Sequence, residues 1–341
     1  MPLHQGSTPA VVSRIATHFI LRAYRMGVRN PGFGHHEGMK RLLVLLALLS
    51  PSLARADNPF GVALWPAAGQ DYGLVAMRLA GLGVAWYRPP SIYLDHWRPD
   101  SCPACRALAP SGLSLALTVR NGEPRHASAP PTDMAAFARQ VGAVLDQWKP
   151  AMLVVEDEED QPARYRGSPA DYKAELSAAC AEAHRRHATC SNGGLSFQNA
   201  IRLTWRGLKG ELACDYAKRV GHADWCGQTS LPDSTDDKLI EIYRSSPIDA
   251  VNIHWFGTDA NALSQTLDIL AKQTGKPLMS NEIGVADATH VRPVMRAAMA
   301  GHMVTAIWYS VDGAESQSLF DNLGRLRPAG EEFAHQMSGR K

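Results

Sequence analysis

The residues best suited to chemistry in this sequence are carboxylates. The stretch "MLVVEDEEDQP", Met152 to Pro162, runs four apolar residues straight into five acids, Glu156, Asp157, Glu158, Glu159 and Asp160. A further acid, Glu282, follows the apolar "KPLMSN". Charge runs are usually solvated loop faces. Both of these, however, end stretches that read as buried strands, where an unpartnered carboxylate is costly. Two carboxylates on separate strands are what glycoside hydrolysis needs, one to protonate the leaving oxygen and one to act as base or nucleophile on the other face of the ring. Calcium binding is the alternative for the acid run, since Ca²⁺ takes several oxygen ligands, but the spaced D-x-D-x-D-G pattern is missing. The sequence contains neither H-E-x-x-H nor G-x-S-x-G, which argues against a zinc or serine hydrolase. No metal and no cofactor is expected.

Other strand-like runs end on residues that suit a sugar site. "WYRPPS" ends on Arg88, whose cation would hold a neighbouring carboxylate ionised. "AVNIHWF" ends on His254, Trp255 and Phe256, and "MVTAIWYS" on Trp308 and Tyr309. Aromatic rings offer flat apolar faces to sugars, and their edges can hydrogen-bond. Each has a plain alternative: Arg88 as a loop cation, His254 as a satisfied core histidine, Trp255 and Trp308 as core.

The elements that must position these residues alternate. Short apolar or β-branched runs read as strands: "FGVAL", "VAWYR", "LSLALTV", "MLVVE", a poor "TCSN", "AVNIHWF", "KPLMSNE" and "MVTAIWYS". Between most of them lie segments of 3.6-residue periodicity, such as Phe137, Val141, Val144, Leu145 and Trp148, stopped by Pro150. Ser168-Pro169 reads as N-cap and first helical residue. A helix is expected from Pro293, and residues 193–233 read as long and irregular. Eight strands alternating with helices over residues 57–341 predict a single α/β domain, a (β/α)8 TIM barrel, near the ~250 residues typical of that fold. An open doubly wound sheet would want a glycine fingerprint after its first strand, and "ALWPAAGQ" has none.

Composition sets the remaining bounds. The chain has 341 residues, a formal net charge of +2 and 45% hydrophobic residues. It shows no basic stripe of the kind a nucleic-acid partner requires. "MKRLLVLLALLSPSLARA", residues 39–56, has a positive start, eight apolar residues and an A-x-A end, the pattern of a secretory signal peptide. Its apolar run is far shorter than the ~20 residues that span a bilayer, so no stable membrane insertion is expected after cleavage. Residues 1–38 then read as an upstream gene-model extension. All six cysteines follow Ala56, which suggests disulfides in an exported chain; short-range pairing would join 102 with 105, 180 with 190 and 214 with 226. "CPAC" could instead be a redox motif or half a zinc site, but no second C-x-x-C exists.

These motifs resemble the clan A glycoside hydrolases, the retaining (β/α)8 superfamily, with single-domain bacterial relatives of family 39 closest. The resemblance spans most of residues 57–341 and rests on "GVAWYRPP", "VNIHWFG", "KPLMSNEIGV" and "AIWYSVDG". It implies Glu282 as nucleophile and Glu158 as acid/base, with Glu159 in reserve, and Arg88, His254, Trp255, Trp308 and Tyr309 around the sugar. Where the family carries Asn before the acid/base this chain has Asp157, which can accept a hydrogen bond from a sugar hydroxyl but cannot donate one. The expected partner is an oligo- or polysaccharide, bound by a monomer in the periplasm or outside the cell. The alternative is a catalytically impaired barrel that binds glycan without cutting it. Strand alternation puts Glu156 and Glu158 on one face, Asp157 and Glu159 on the other. That parity fails where a strand turns into loop, so the residues alone leave the choice among the acids open.

Overall fold

In a computed structural model of the chain, which describes residues 58–64, 71–230, 236–313 and 315–339, the apolar runs become eight parallel strands around a common axis. They are β1 (Phe60–Ala63), β2 (Trp86–Arg88), β3 (Ser114–Arg120), β4 (Met152–Val155), β5 (Thr189–Asn192), β6 (Val251–Trp255), β7 (Leu278–Ile283) and β8 (Ala306–Trp308). The hydrogen-bonded order is β5-β4-β3-β2-β1-β8-β7-β6. Between β5 and β6 the backbone makes only the bridges Ser191–Ala250 and Leu195–Ile253. Side chains complete this seam. Asn252 N–H donates to Asn192 Oδ1 at 2.6 Å, and Asn192 Nδ2 donates back to Asn252 O at 3.0 Å. The result is a nearly closed (β/α)8 barrel, as the alternation of elements predicts. The segments expected to form a leader and an extension before it, residues 1–56, lie outside the described residues.

Period-two alternation divides the core. Ala63, Ala116, Met152, Val154, Ala250, Met279 and Ile307 fill the barrel interior, as stacked side chains do in this fold. The alternate residues, among them Val62, Leu117, Val155, Ile253, Trp255 and Trp308, face the helices. Gly61 lets Trp86 into the interior, since a Cβ there would meet Trp86 Cβ at 2.5 Å.

The helices start where short polar side chains can satisfy their first N–H groups. Asp71 caps Tyr72–Leu82, and Ser168 and Asp171 form a capping box on Pro169–Arg185. Asp259 caps Ala260–Thr274, and Gly275, at φ 70°, closes it in the left-handed conformation. Two expectations are corrected. Of the stretch expected to be irregular, the described residues 193–230 are largely helical, with Phe197–Gly207 capped by Ser196, then Glu211–Arg219, tied down by Cys214–Cys226; Gly207 and Gly210 cut the periodicity too short to read. The helix expected from Pro293 begins at Ala288, because Asp287 caps it and Pro293 sits one turn inside. The cysteines pair as short-range proximity suggests: Cys102–Cys105, Cys180–Cys190 and Cys214–Cys226. Among the described residues no helix is long and apolar enough to cross a membrane. The three disulfides are compatible with an exported protein.

Candidate active site

The C-terminal strand ends converge on a cluster of charged side chains. Glu282 arrives there through an irregularity in β7. Its register against β6 and β8 slips between Met279 and Ile283, and such a bulge re-aims side chains. Met279 faces the interior and Ile283 the helices; the extra residue lets both Asn281 and Glu282 reach the axis. Arg88, at the end of β2, donates from Nη1 to Glu282 Oε1 at 2.7 Å and from Nε to Thr118 Oγ1 at 3.2 Å. Burial alone would lower the pKa of Arg88; the charges of Glu282 and Asp157 more than offset it, so the net shift is upward and the guanidinium stays charged.

His254 stands between the two candidate catalytic acids. Its Nδ1 lies 3.0 Å from Glu158 Oε1 and 3.8 Å from Glu282 Oε2. Its other nitrogen is fixed by a chain of amides. Asn281 N–H donates to Asn252 Oδ1 at 2.9 Å, so Asn252 Nδ2 is the donor to Asn281 Oδ1 at 2.8 Å. Asn281 Oδ1 therefore accepts from His254 Nε2 at 3.0 Å. With Nε2 holding a proton, Nδ1 either donates to Glu158 or accepts from it, so the pair can pass one proton between them. Burial would lower the His254 pKa; the Glu282 charge, the hydrogen bond to Glu158 and the charges of Asp157 and Glu158 outweigh that and raise it to about 9. Gly194 makes room for the ring, since a Cβ there would meet His254 Nε2 at 2.2 Å.

Asp157 points into the same cluster. Arg120 Nη1 is 3.6 Å and Arg164 Nη1 3.8 Å from Oδ2, and Arg88 Nη2 is 4.0 Å from Oδ1. Burial pushes its pKa up, but the charges of His254, Arg88, Arg120 and Arg164 pull it below the ordinary aspartate value. Ligand-type atoms of Asp157, His254 and Glu282 all fall within 4.8 Å of one another. As a metal site this trio is compromised by Arg88, which already pairs with Glu282, and by His254, whose Nε2 is taken by Asn281 and whose Nδ1 is taken by Glu158.

The remaining acids of the run are structural. Glu156 takes φ 70° and Glu158 φ 46°, left-handed conformations unusual for such residues and costly by about 1–3 kcal/mol each. They break the strand parity and spread the acids around the loop. Glu156 turns away from the mouth, accepting from Asn121 N–H at 2.6 Å, and sits beside Arg120 and the buried Glu175. Glu159, held in reserve by the family resemblance, is buried and accepts from Tyr243 Oη and Asn192 Nδ2. Asp160 braces the N-terminus of the helix after β5, accepting from the N–H of its cap residue Ser196 at 3.0 Å and from Asn199 Nδ2.

The structure thus brings together Arg88, Asp157, Glu158, His254 and Glu282. Tyr309, half-buried against the interior cluster and electrostatically coupled to Glu282, joins them, with Phe256 packed edge-on against it. Trp255 and Trp308 do not. Both are 0% exposed and face the helices. Trp255 donates to Gly257 O at 2.8 Å and packs on Phe197; Trp308 donates to Gln317 O at 3.0 Å and packs on Phe333. They are core because each alternates with an inward neighbour, His254 and Tyr309. Sequence reasoning missed Arg120 and Arg164. Arg120 ends β3 in "TVRNG" and could have been found by the strand-end rule that found Arg88; Arg164 lies in a loop without any pattern.

No family model matches the sequence, and no curated protein does. Solved structures resemble it closely in fold. A glucosidase from Croceicoccus marinus superposes with a TM-score of 0.59 over 83% of this chain and 68% of that one, at 12% identity. A family 39 glycoside hydrolase from Bacteroides cellulosilyticus gives 0.56 over 84% and 64%, at 13% identity. A GH128 endo-β-1,3-glucanase from Sorangium cellulosum gives 0.51 over 81% and 97%, at 15% identity. The chain shares the (β/α)8 fold of these glycoside hydrolases. It spans only about two thirds of the length of the first two, and a fold hosts many activities, so function rests on the site.

Proposed function

We propose that the protein is an exported retaining glycoside hydrolase. The observation that carries this reading is the position of His254 Nδ1, 3.0 Å from Glu158 and 3.8 Å from Glu282. A single ring nitrogen in reach of both carboxylates keeps those two oxygens within about 7 Å of each other, a limit that admits the about 5–5.5 Å of retaining pairs and leaves only the lower edge of the about 6.5–9.5 Å of inverting ones. Glu282, held by Arg88, attacks the anomeric carbon. Glu158 protonates the leaving oxygen, and the C–O bond breaks to give a glycosyl ester on Glu282. Glu158, now ionised, takes a proton from water, which attacks the same carbon and frees Glu282. Tyr309 and Phe256 offer the ring faces. Export is supported by the three disulfides and by the leader pattern at residues 39–56.

The test is proton NMR of the released sugar during the first minutes of turnover, on whichever glycoside a substrate panel shows to be cleaved. The anomer formed first should match the substrate's. An inverted first product rejects double displacement. A second reading, a barrel that binds glycan without cleaving it, is favoured by Asp157, which is bracketed by three arginines and has no proton to donate to a sugar. Binding on the panel with no hydrolysis would establish that reading instead.

A further inference from the structure

Arg164 takes part in none of these steps, yet it overhangs the acid/base. Its side chain is 52% exposed, whereas those of Arg88 and Arg120 are 8% and 5% exposed. Its contacts are long: Nε is 3.5 Å from Glu158 Oε2, and Nη1 is 3.8 Å from Asp157 Oδ2. Among the described residues its guanidinium makes no hydrogen bond of ordinary length. The backbone beneath it is anchored. Its N–H donates to Gln161 O at 2.8 Å, and its carbonyl accepts from Ser128 N–H at 2.8 Å and from Arg120 Nη2 at 2.9 Å. Nor does Asp157 use it up, because Arg120 and Arg88 already address the same carboxylate at 3.6 and 4.0 Å. Arg164 is therefore a surplus, open cation on a fixed base, beside the group that meets the leaving oxygen.

We propose that Arg164 reads an anionic group, a sugar carboxylate or a sulfate ester, on the unit that leaves, and that the substrate class is an acidic glycan. The inference rests on the assignment of Glu158 as the residue beside the leaving group. A guanidinium offers parallel N–H donors in a planar fork that matches a carboxylate or sulfate, which a lysine ammonium does not. A neutral leaving unit would leave these donors to water. An acidic one would give them an anionic partner at hydrogen-bonding distance, which Glu158 and Asp157 do not.

The experiment uses the full chain carrying Glu282→Gln, which binds without turning over, on an array of neutral, uronate-containing and sulfated oligosaccharides, with titrations on those that bind. Acidic glycans should bind best, more weakly as salt rises. Adding Arg164→Ala should weaken them about ten-fold or more, the scale of one charge-assisted hydrogen bond, while neutral glycans change little, and Arg164→Lys should recover part of the loss. Uronate and sulfate spots separate the two sources of charge. Binding confined to neutral glycans, no binding at all, or acidic-glycan binding equal in Arg164→Ala overturns the proposal. Wild-type turnover tells its failure from that of the hydrolase reading: cleavage of neutral glycans only overturns the Arg164 assignment, while Arg164-dependent binding of acidic glycans without cleavage overturns the hydrolase and keeps Arg164 only as the residue that reads the anion.

Discussion

Arg88 donates to Glu282 across 2.7 Å from a strand three places away in the barrel order, and its Nε is braced by Thr118 on β3. Glu282 is thus oriented by a cation that cannot itself lose its proton. Arg88→Ala should lower kcat/KM by about 100-fold or more, the scale of one preorganised donor at a developing charge. Arg88→Lys should fall between, keeping the charge without the fork. Steady-state kinetics on any cleaved glycoside checks this, and near-normal activity in Arg88→Ala would remove Arg88 from the site.

His254 ties the site to pH. Its folded pKa, raised to about 9, exceeds the ordinary histidine value, so its stabilising charge is fully present below about 6.5 and is lost as pH rises through about 9. Melting temperatures should decline over that window, and His254→Gln should remove that part of the decline. The basic limb of kcat/KM should move in the same variant. Parallel curves for wild type and variant would contradict the charge assigned to His254.

Glu159 works in a lower window. Burial and the neighbouring Asp160 raise its pKa to about 7 despite its bonds from Tyr243 and Asn192. A carboxyl raised in the fold stabilises most below its ordinary value, and that contribution is lost as pH rises through about 7. Glu159→Gln mimics the protonated acid. Its stability should match wild type at pH 5 and equal or exceed it at pH 8, read by urea unfolding. A variant less stable at pH 8 would show that the ionised form is the one the fold needs.

Glu175 supports the loop that carries Glu158. It accepts from Tyr165 Oη at 2.9 Å, and burial followed by the charge of Glu156 raises its pKa well above the ordinary value, so a proton shared between Glu175 and Glu156 is the expected state. Glu175→Gln preserves that donor and should cost little. Glu175→Leu strands both Tyr165 and Glu156 and should cost about 2–4 kcal/mol, with activity lost as the loop carrying Glu158 shifts. Equal stability of the two variants would mean that no proton is shared there.

Much of this architecture was legible beforehand. Seven strands follow from apolar runs set between amphipathic segments, whereas the polar Thr189–Asn192 reads poorly as a strand; Arg88, His254 and Glu282 follow from asking what stands at strand ends. What could not be read has local physical causes. Left-handed backbone at Glu156 and Glu158 destroyed the alternation on which a choice among five acids depended. The slip in β7 carried Glu282 to the axis by a device that side-chain patterning does not encode. Trp255 and Trp308 are a different case: each adjoins an inward-facing residue, so alternation alone would have placed them in the core.

The central claim is that Glu158 and Glu282 divide acid/base and nucleophilic work. Its most direct test is Glu158→Ala on an aryl glycoside whose leaving group needs no protonation, with and without azide. Azide should accelerate turnover and yield a glycosyl azide of the substrate's own anomeric configuration, because it captures the Glu282 ester from the face that Glu158 normally serves. No acceleration, or an azide product of opposite configuration, would contradict the assignment.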